Sequence, residues 1–188
     1  MKLDNLNDVL VLFDQINGKG TENCIFFAQK DQAQICERGS VTKAVAKEVA
    51  NNLTFGISGL VGKLAEAGKS TPLNSIQEEL NLDILNNYTQ FLINETENSI
   101  AIIPILFKGV LHWKTEGAQF FPESGRVIPK SVIEKIEIGK FSILTPTVRG
   151  IRIKLIDGYK LEFMGITNVK TLPYHIENFK KFNNKYKI

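Results

Sequence analysis

Cysteine, histidine and tryptophan are scarce in this chain: among 188 residues there are two Cys, two His and one Trp. Cys24 and Cys36 stand too far apart for a C-x-x-C motif and have no His near them, so neither a redox pair nor a cysteine-built metal site is expected. Two reduced thiols are the expected state. His112 and His175 lie far apart in sequence, and neither adjoins a Cys or a paired carboxylate. A catalytic metal takes about three protein ligands, and a Ser or Cys nucleophile needs a base oriented by a third group, so both histidines read as structural. No metal, no cofactor and no enzymatic activity are expected.

Long apolar runs are missing as well. The uncharged stretch 49–62 has fourteen residues between Glu48 and Lys63, short of the roughly 20 that a membrane-crossing helix needs. The opening residues 1–8 are acidic and polar, and the apolar run 9–13 is shorter than the roughly 7 to 15 residues of a secretory h-region, which points to the cytoplasm. No run of Lys and Arg reaches the length of a basic-patch motif. The glycines of Gly18-Lys19-Gly20 and Gly56-x-x-Gly59-x-x-Gly62 lack both the strand-loop-helix context and the Gly-Lys-Ser/Thr ending of a phosphate loop.

What remains is the make-up of an ordinary globular protein, 43% hydrophobic and 23% charged. Its charge is unevenly placed. Residues 1–99 carry eight Lys and Arg against thirteen Asp and Glu, a net −5, whereas residues 100–188 carry fifteen against seven, a net +8. A basic half attracts phosphate in lipid or nucleic acid, or else pairs with the acidic half.

Helical spacing of Leu6, Val9, Leu10, Leu12, Phe13 and Ile16 predicts a short N-terminal helix ending at a Gly-rich stop, followed by a mostly buried strand at 23–29. From Ser40 or Thr42 a helix is expected to run to about Ala67, with Val45, Val49, Leu53, Leu60 and Leu64 near one stripe. Gly56, Gly59 and Gly62 each cost it about 0.8–1 kcal/mol against Ala, so its second half needs packing to stay helical, or the helix breaks near Gly56. Residues 76–85 read as a weak acidic helical turn or two. After Asn87 the pattern changes to strands at 88–94, 99–106, 109–114, 118–121 and 131–138. A hairpin then pairs Ile151, Ile153 and Leu155 with Tyr159, Leu161 and Phe163 about Asp157-Gly158, of the kind a type I′ turn requires. Leu172, Ile176, Phe179, Phe182 and Tyr186 form the stripe of an amphipathic C-terminal helix with a basic polar side.

Six or seven antiparallel strands followed by one amphipathic helix must bury both the sheet face and the helix stripe, and seating the helix in a bent sheet buries both. Residues 88–105, the segment Ile128-Pro129-Lys130-Ser131-Val132-Ile133-Glu134-Lys135-Ile136-Glu137-Ile138, the hairpin 151–163 and the final helix together resemble bacterial pleckstrin-homology-like (PH-like) domains. The resemblance implies an α+β fold: a bent antiparallel sheet or barrel of about seven strands capped by a C-terminal amphipathic helix, with a helical insertion after the first strand. On that basis residues 1–188 form a single domain, 40–87 the helical insertion and 88–188 the main body. No particular ligand is implied, because fold is not function. Phosphoinositide-binding PH domains cluster Lys and Arg around the first hairpin. Here that region offers only Lys30 and Arg38 beside Asp31 and Glu37, so tight inositol-phosphate recognition is not expected.

The reading is a non-enzymatic interaction or peripheral membrane-association module of unknown ligand. Arg149, Arg152, Lys154 and Lys160 are the candidate contacts to an anionic surface. The alternative is a self-assembling scaffold that uses the Gly-rich helix 41–67, with Phe55, Gly56, Gly59, Leu60 and Gly62 as its interaction face. The partners implied are another protein or a second copy, or else an anionic membrane surface. Nucleic acid is disfavoured, because alternation turns most of Trp113, Phe120 and Phe121 into core rather than stacking platforms. The carboxylates Glu78, Glu79 and Asp83, and Glu95 with Glu97, read as solvated.

Overall fold

The computed structural model describes residues 3–16, 20–30, 75–106, 118–140, 149–165 and 172–187. The expected helix 41–67 with Phe55, Gly56, Gly59, Leu60 and Gly62, the expected strand 109–114 and His112 lie outside these residues. In chain order the elements are α1 (Leu6–Gln15), β1 (Cys24–Lys30), α2 (Ile76–Glu79), β2 (Gln90–Glu95), β3 (Ser99–Leu106), β4 (Gln119–Phe120), β5 (Arg126–Pro129), β6 (Ile133–Gly139), β7 (Arg149–Leu155), β8 (Lys160–Gly165) and α3 (His175–Tyr186). Short 3-10 turns occupy Leu82–Asn87, Pro122–Ser124 and Lys130–Val132.

The eight strands form one open antiparallel sheet in the order β4-β3-β2-β1-β8-β7-β6, with β5 joining the free side of β3 beside β4. The fold is therefore the α+β class read from the sequence, an antiparallel sheet with a C-terminal helix, consistent with a PH-like bent sheet. It has one strand more than about seven. The extra strand arises at Pro129, which has no N–H to continue a ladder. β5 ends there against Ser99, the Lys130–Val132 turn follows, and β6 begins anew against β7.

The apolar patterns explain which strands are covered on both sides. In β1 to β3, adjacent apolar residues point to opposite faces, and both faces are buried. Phe26, Ala28, Phe91, Ile93, Ile100 and Ile102 pack in the core with Phe179 and Phe182 of α3. Ile25, Phe27, Leu92, Ala101, Ile103 and Ile105 pack on the other side against Val9, Leu12 and Phe13 of α1, with Leu3 and Leu172 completing the layer. Asn5 caps α1 by accepting the Asn7 N–H at 3.0 Å. β7 and β8 alternate because one of their faces is core and the other is wet: Ile151, Ile153, Leu155, Leu161 and Phe163 are buried, and Arg152, Lys154, Lys160 and Glu162 point outward. Their turn departs from type I′, since Gly158 at φ 87° is its one left-handed residue.

The seat of α3 follows from where β8 stops. Its last pairing with β1 joins Gly165 to Ala28, and among the described residues α3 is what bonds to the edge of β1 from Cys24 to Phe27 on that side. The Phe27 N–H donates to His175 Nδ1 at 2.9 Å, Asn178 Nδ2 donates to the Ile25 carbonyl at 2.9 Å, and the Cys24 thiol donates to the Asn178 carbonyl at 3.1 Å. His175 is fully buried and stacks on Phe179 with ring centroids 5.8 Å apart. Accepting at Nδ1 fixes it as the tautomer protonated on Nε2, a structural histidine as read from the sequence. Phe26 meets Phe182 at 4.6 Å and Phe179 at 5.6 Å between centroids. At its far end the helix gives way to Lys187, which pairs in parallel with Ile138 of β6.

Gly165 allows this approach: a Cβ there would stand 2.1 Å from Phe179 Cζ and 2.6 Å from Cε2. Gly165→Ala is expected to destabilise the fold by about 1–3 kcal/mol, the usual cost of an overpacked core, read as a lower urea midpoint with unchanged slope. Adding Phe179→Leu to Gly165→Ala should recover part of that loss.

Candidate functional site

Three groups of charged residues surround α3, and they differ in how far the fold itself consumes them. The first is built on Glu95, the last residue of β2, paired in register with Cys24. Its side chain is only 5% exposed. One oxygen, Oε1, accepts from Lys130 Nζ at 2.8 Å, from Lys185 Nζ at 2.7 Å and from the Tyr186 hydroxyl. Lys130 is brought there by the turn after β5, whose backbone N–H donates to the Asn98 carbonyl at 2.8 Å. Lys185 and Tyr186 come from the last turn of α3. Burial alone would raise the carboxyl pKa, but the bonds from Lys130, Lys185 and Tyr186 outweigh it and hold Glu95 below the usual carboxylate range.

The reciprocal effects follow. The Glu95 hydrogen bond raises the Lys185 ammonium pKa, and burial together with Glu95 pushes the Tyr186 hydroxyl up to about 12. Burial, aided by the Glu95 charge, pushes the Cys24 thiol up to about 11. At neutral pH this thiol is protonated and hydrogen-bonded, which is the opposite of an activated nucleophile. Glu95 is thus no solvated carboxylate, as the sequence reading had it, but a buried anion joining three elements. Its neighbour Glu97 is exposed, and it ties the loop before β1 by accepting the Thr21 N–H at 3.0 Å.

The second group is the outer face of β6 to β8. Arg152 donates to Glu162 at 2.5 Å and lies 3.8 Å from Glu137, Lys135 pairs with Glu137 at 2.6 Å, and Lys154 pairs with Glu134 at 2.8 Å. Hydrogen bonding from Lys135 holds the Glu137 carboxyl below its usual range. Of the four candidate contacts, Arg152 and Lys154 therefore belong to a near-balanced ladder of cross-strand pairs. Each such exposed pair contributes little to stability, of the order of 0–1 kcal/mol. Lys160 is exposed opposite Lys154 in the register.

Arg149 belongs to the third group. It opens β7, and its Nη1 donates to Asn183 Oδ1 of α3 at 2.8 Å, so it stands at the seam between the sheet and the helix. Lys140 directly follows Gly139, which pairs with Gly150 next to Arg149. Lys187 pairs with Ile138, and Lys180 lies one helical turn before Asn183. Lys140, Lys180 and Lys187 are exposed and Arg149 is half-buried. None of the four pairs with a carboxylate among the described residues. Segments 138–151 and 163–176, which lead into and away from this seam, contain no Asp or Glu at all.

The structure thus separates Arg149 from the Arg152–Lys154–Lys160 set and places it with Lys140, Lys180 and Lys187, which the sequence reading did not single out. The available signal was the basic polar side of the last helix. Nothing in the sequence alone shows that Arg149 meets it. Among the described residues no group of three His, Cys, Asp or Glu side chains is arranged to hold a metal ion, and no helix is long and apolar enough to cross a membrane. No family model, curated protein or solved structure matches the chain.

Glu95→Gln, which keeps the shape and removes the charge, should cost about 2–3 kcal/mol at pH 7, the range for a hydrogen-bonded buried charge. Because the folded carboxyl is depressed, its contribution is fully present above the unfolded value of about 4.3 and is lost as pH falls through the folded value. Urea titrations of both proteins should therefore show their gap constant from pH 8 to 5 and shrinking below that.

Proposed function

We propose that this chain is a PH-like interaction module without enzymatic activity that attaches peripherally to an anionic, phosphate-bearing membrane surface. The observation that carries this reading is the fate of the positive excess in residues 100–188. The fold pairs Lys135, Arg152 and Lys154 on the outer face of β6 to β8 with carboxylates, and it leaves the cluster of Lys140, Arg149, Lys180 and Lys187 without a carboxylate partner among the described residues. Uncompensated lysines and arginines near an anionic bilayer contribute about 1 kcal/mol each, so four suffice for reversible attachment. The buried polar groups support the same reading from the other side. Glu95, His175 and Cys24 are each bound into the seat of α3 and are not presented to a substrate.

Sedimentation with vesicles of phosphatidylcholine, alone and with phosphatidylserine, tests the reading on the full chain. Binding is expected only to the phosphatidylserine vesicles at 50 mM salt. It should weaken strongly by 300 mM, as the screening length falls from about 14 to about 6 Å. Equal binding to both vesicle types, or none to either, would refute it.

A further inference from the structure

α3 carries more than charge on its outer side. Ile176, Lys180, Asn183 and Asn184 recur at i, i+4, i+7 and i+8, one stripe of a 3.6-residue helix, and Lys187 follows directly after the helix in extended backbone. Ile176 is 49% exposed, one of four exposed large hydrophobic residues among those described. It is also the apolar member of a row otherwise made of one lysine and two asparagines, with Lys187 just beyond the end of the helix. The flanking side of the helix, with His175, Phe179 and Phe182, is buried. Beside the stripe lie Arg149, joined to Asn183, and Lys140 at the end of β6. The one carboxylate of the helix, Glu177, is held by Lys181 at 2.9 Å on the neighbouring row.

We infer that this stripe of α3, with Lys140, Arg149 and Lys187 alongside it, is the face that lies on the bilayer. Ile176 enters the headgroup layer and the cations meet lipid phosphates and carboxylates around it. The inference rests on the membrane reading above and adds to it the face, the orientation and an apolar anchor. An exposed isoleucine beside these cations suits an interface where apolar chains begin below a charged layer. It has no corresponding contact on the phosphate backbone of a nucleic acid, where cations alone determine affinity. With α3 flat on the surface, the Lys154 and Lys160 face of the sheet does not supply the principal contacts.

Two double variants of equal charge separate the faces: Lys180→Ala with Lys187→Ala on the stripe and at its end, and Lys154→Ala with Lys160→Ala on the outer sheet. Lys160, Lys180 and Lys187 are exposed and Lys154 is half-buried, and matching thermal melts verify that the variants fold. In sedimentation with phosphatidylserine-containing vesicles, the stripe variant is expected to lose about 30-fold in affinity, two cations at about 1 kcal/mol each, and the sheet variant less than 3-fold. Ile176→Ser should weaken binding several-fold with the salt dependence unchanged, and Ile176→Trp should strengthen it, since Trp favours the interface. Equal losses in the two double variants, or indifference to residue 176, overturn the face while leaving the membrane reading intact. No binding by the unaltered chain overturns both. Tighter binding of the unaltered chain to duplex DNA than to vesicles, abolished by the stripe variant, assigns the stripe to nucleic acid and overturns the lipid assignment.

Discussion

The rest of the structure depends on how α3 is bonded to one edge of β1. Beyond the pairing of Gly165 with Ala28, the described partners of that edge are side chains and a carbonyl of the helix. An unpaired buried amide or carbonyl costs about 1–3 kcal/mol. The helix that covers this edge must therefore satisfy the edge as well as bury it. His175 and Asn178, three residues apart on one side of α3, do both: they meet Phe27 and Ile25, two residues apart on one side of β1. That match between a helical and a strand repeat fixes the position of α3 along β1. Gly165 sets how near the helix comes. The aromatic contacts of Phe26 with Phe179 and Phe182 then follow as consequences of a position determined by hydrogen bonds.

The electrostatics build on the same placement. Once His175 has located the start of the helix, its last turn arrives where β2 ends, and Glu95 receives Lys185 and Tyr186 there together with Lys130 from the turn after β5. A buried carboxylate is weak as a source of net stability, but it tolerates few arrangements other than the one that satisfies it. Glu95 therefore works against rotation or slippage of α3. The same constraint holds the outer side of the helix steady towards solvent, with Ile176 and Lys180 in a fixed row and Lys187 anchored after it on Ile138.

Much of this architecture was legible from periodicity. The edges of α1 and β3, the alternation of β7 and β8, and the stripe of α3 all follow from which residues are apolar and at what interval. The continuous apolar run of β1 marked a mostly buried strand, and in the structure β1 to β3 are covered on both faces, with α1 on one side and α3 on the other. Three features escaped. The strand read at 131–138 is preceded by β5 at Arg126–Pro129, which the sequence reading did not contain; β5 pairs with β3 and β6 with β7, and partners are a tertiary matter. Glu95 beside Glu97 has the pattern of a polar turn, and its burial depends on lysines 35 and 90 residues away. Arg149 and Arg152 look alike in sequence, but alternation along β7 and the carboxylates of β6 and β8 send them to different fates. Charge counts identified the basic half, and only the three-dimensional pairing shows which cations in it remain available.

The covered edge of β1 also bears on how this protein fails. Cys24-Ile25-Phe26-Phe27 is a run of four uncharged residues of high strand propensity, with no proline, lysine or bulge to blunt it. In the intact fold α3 is its shield. A chain whose last helix was cleaved or had come loose would present that segment as a template for another copy's backbone, with the rest of the sheet still in place to hold it extended. Loss of the helix thus leads towards edge-to-edge polymerisation, which grows with concentration, rather than towards a simple return to the unfolded chain.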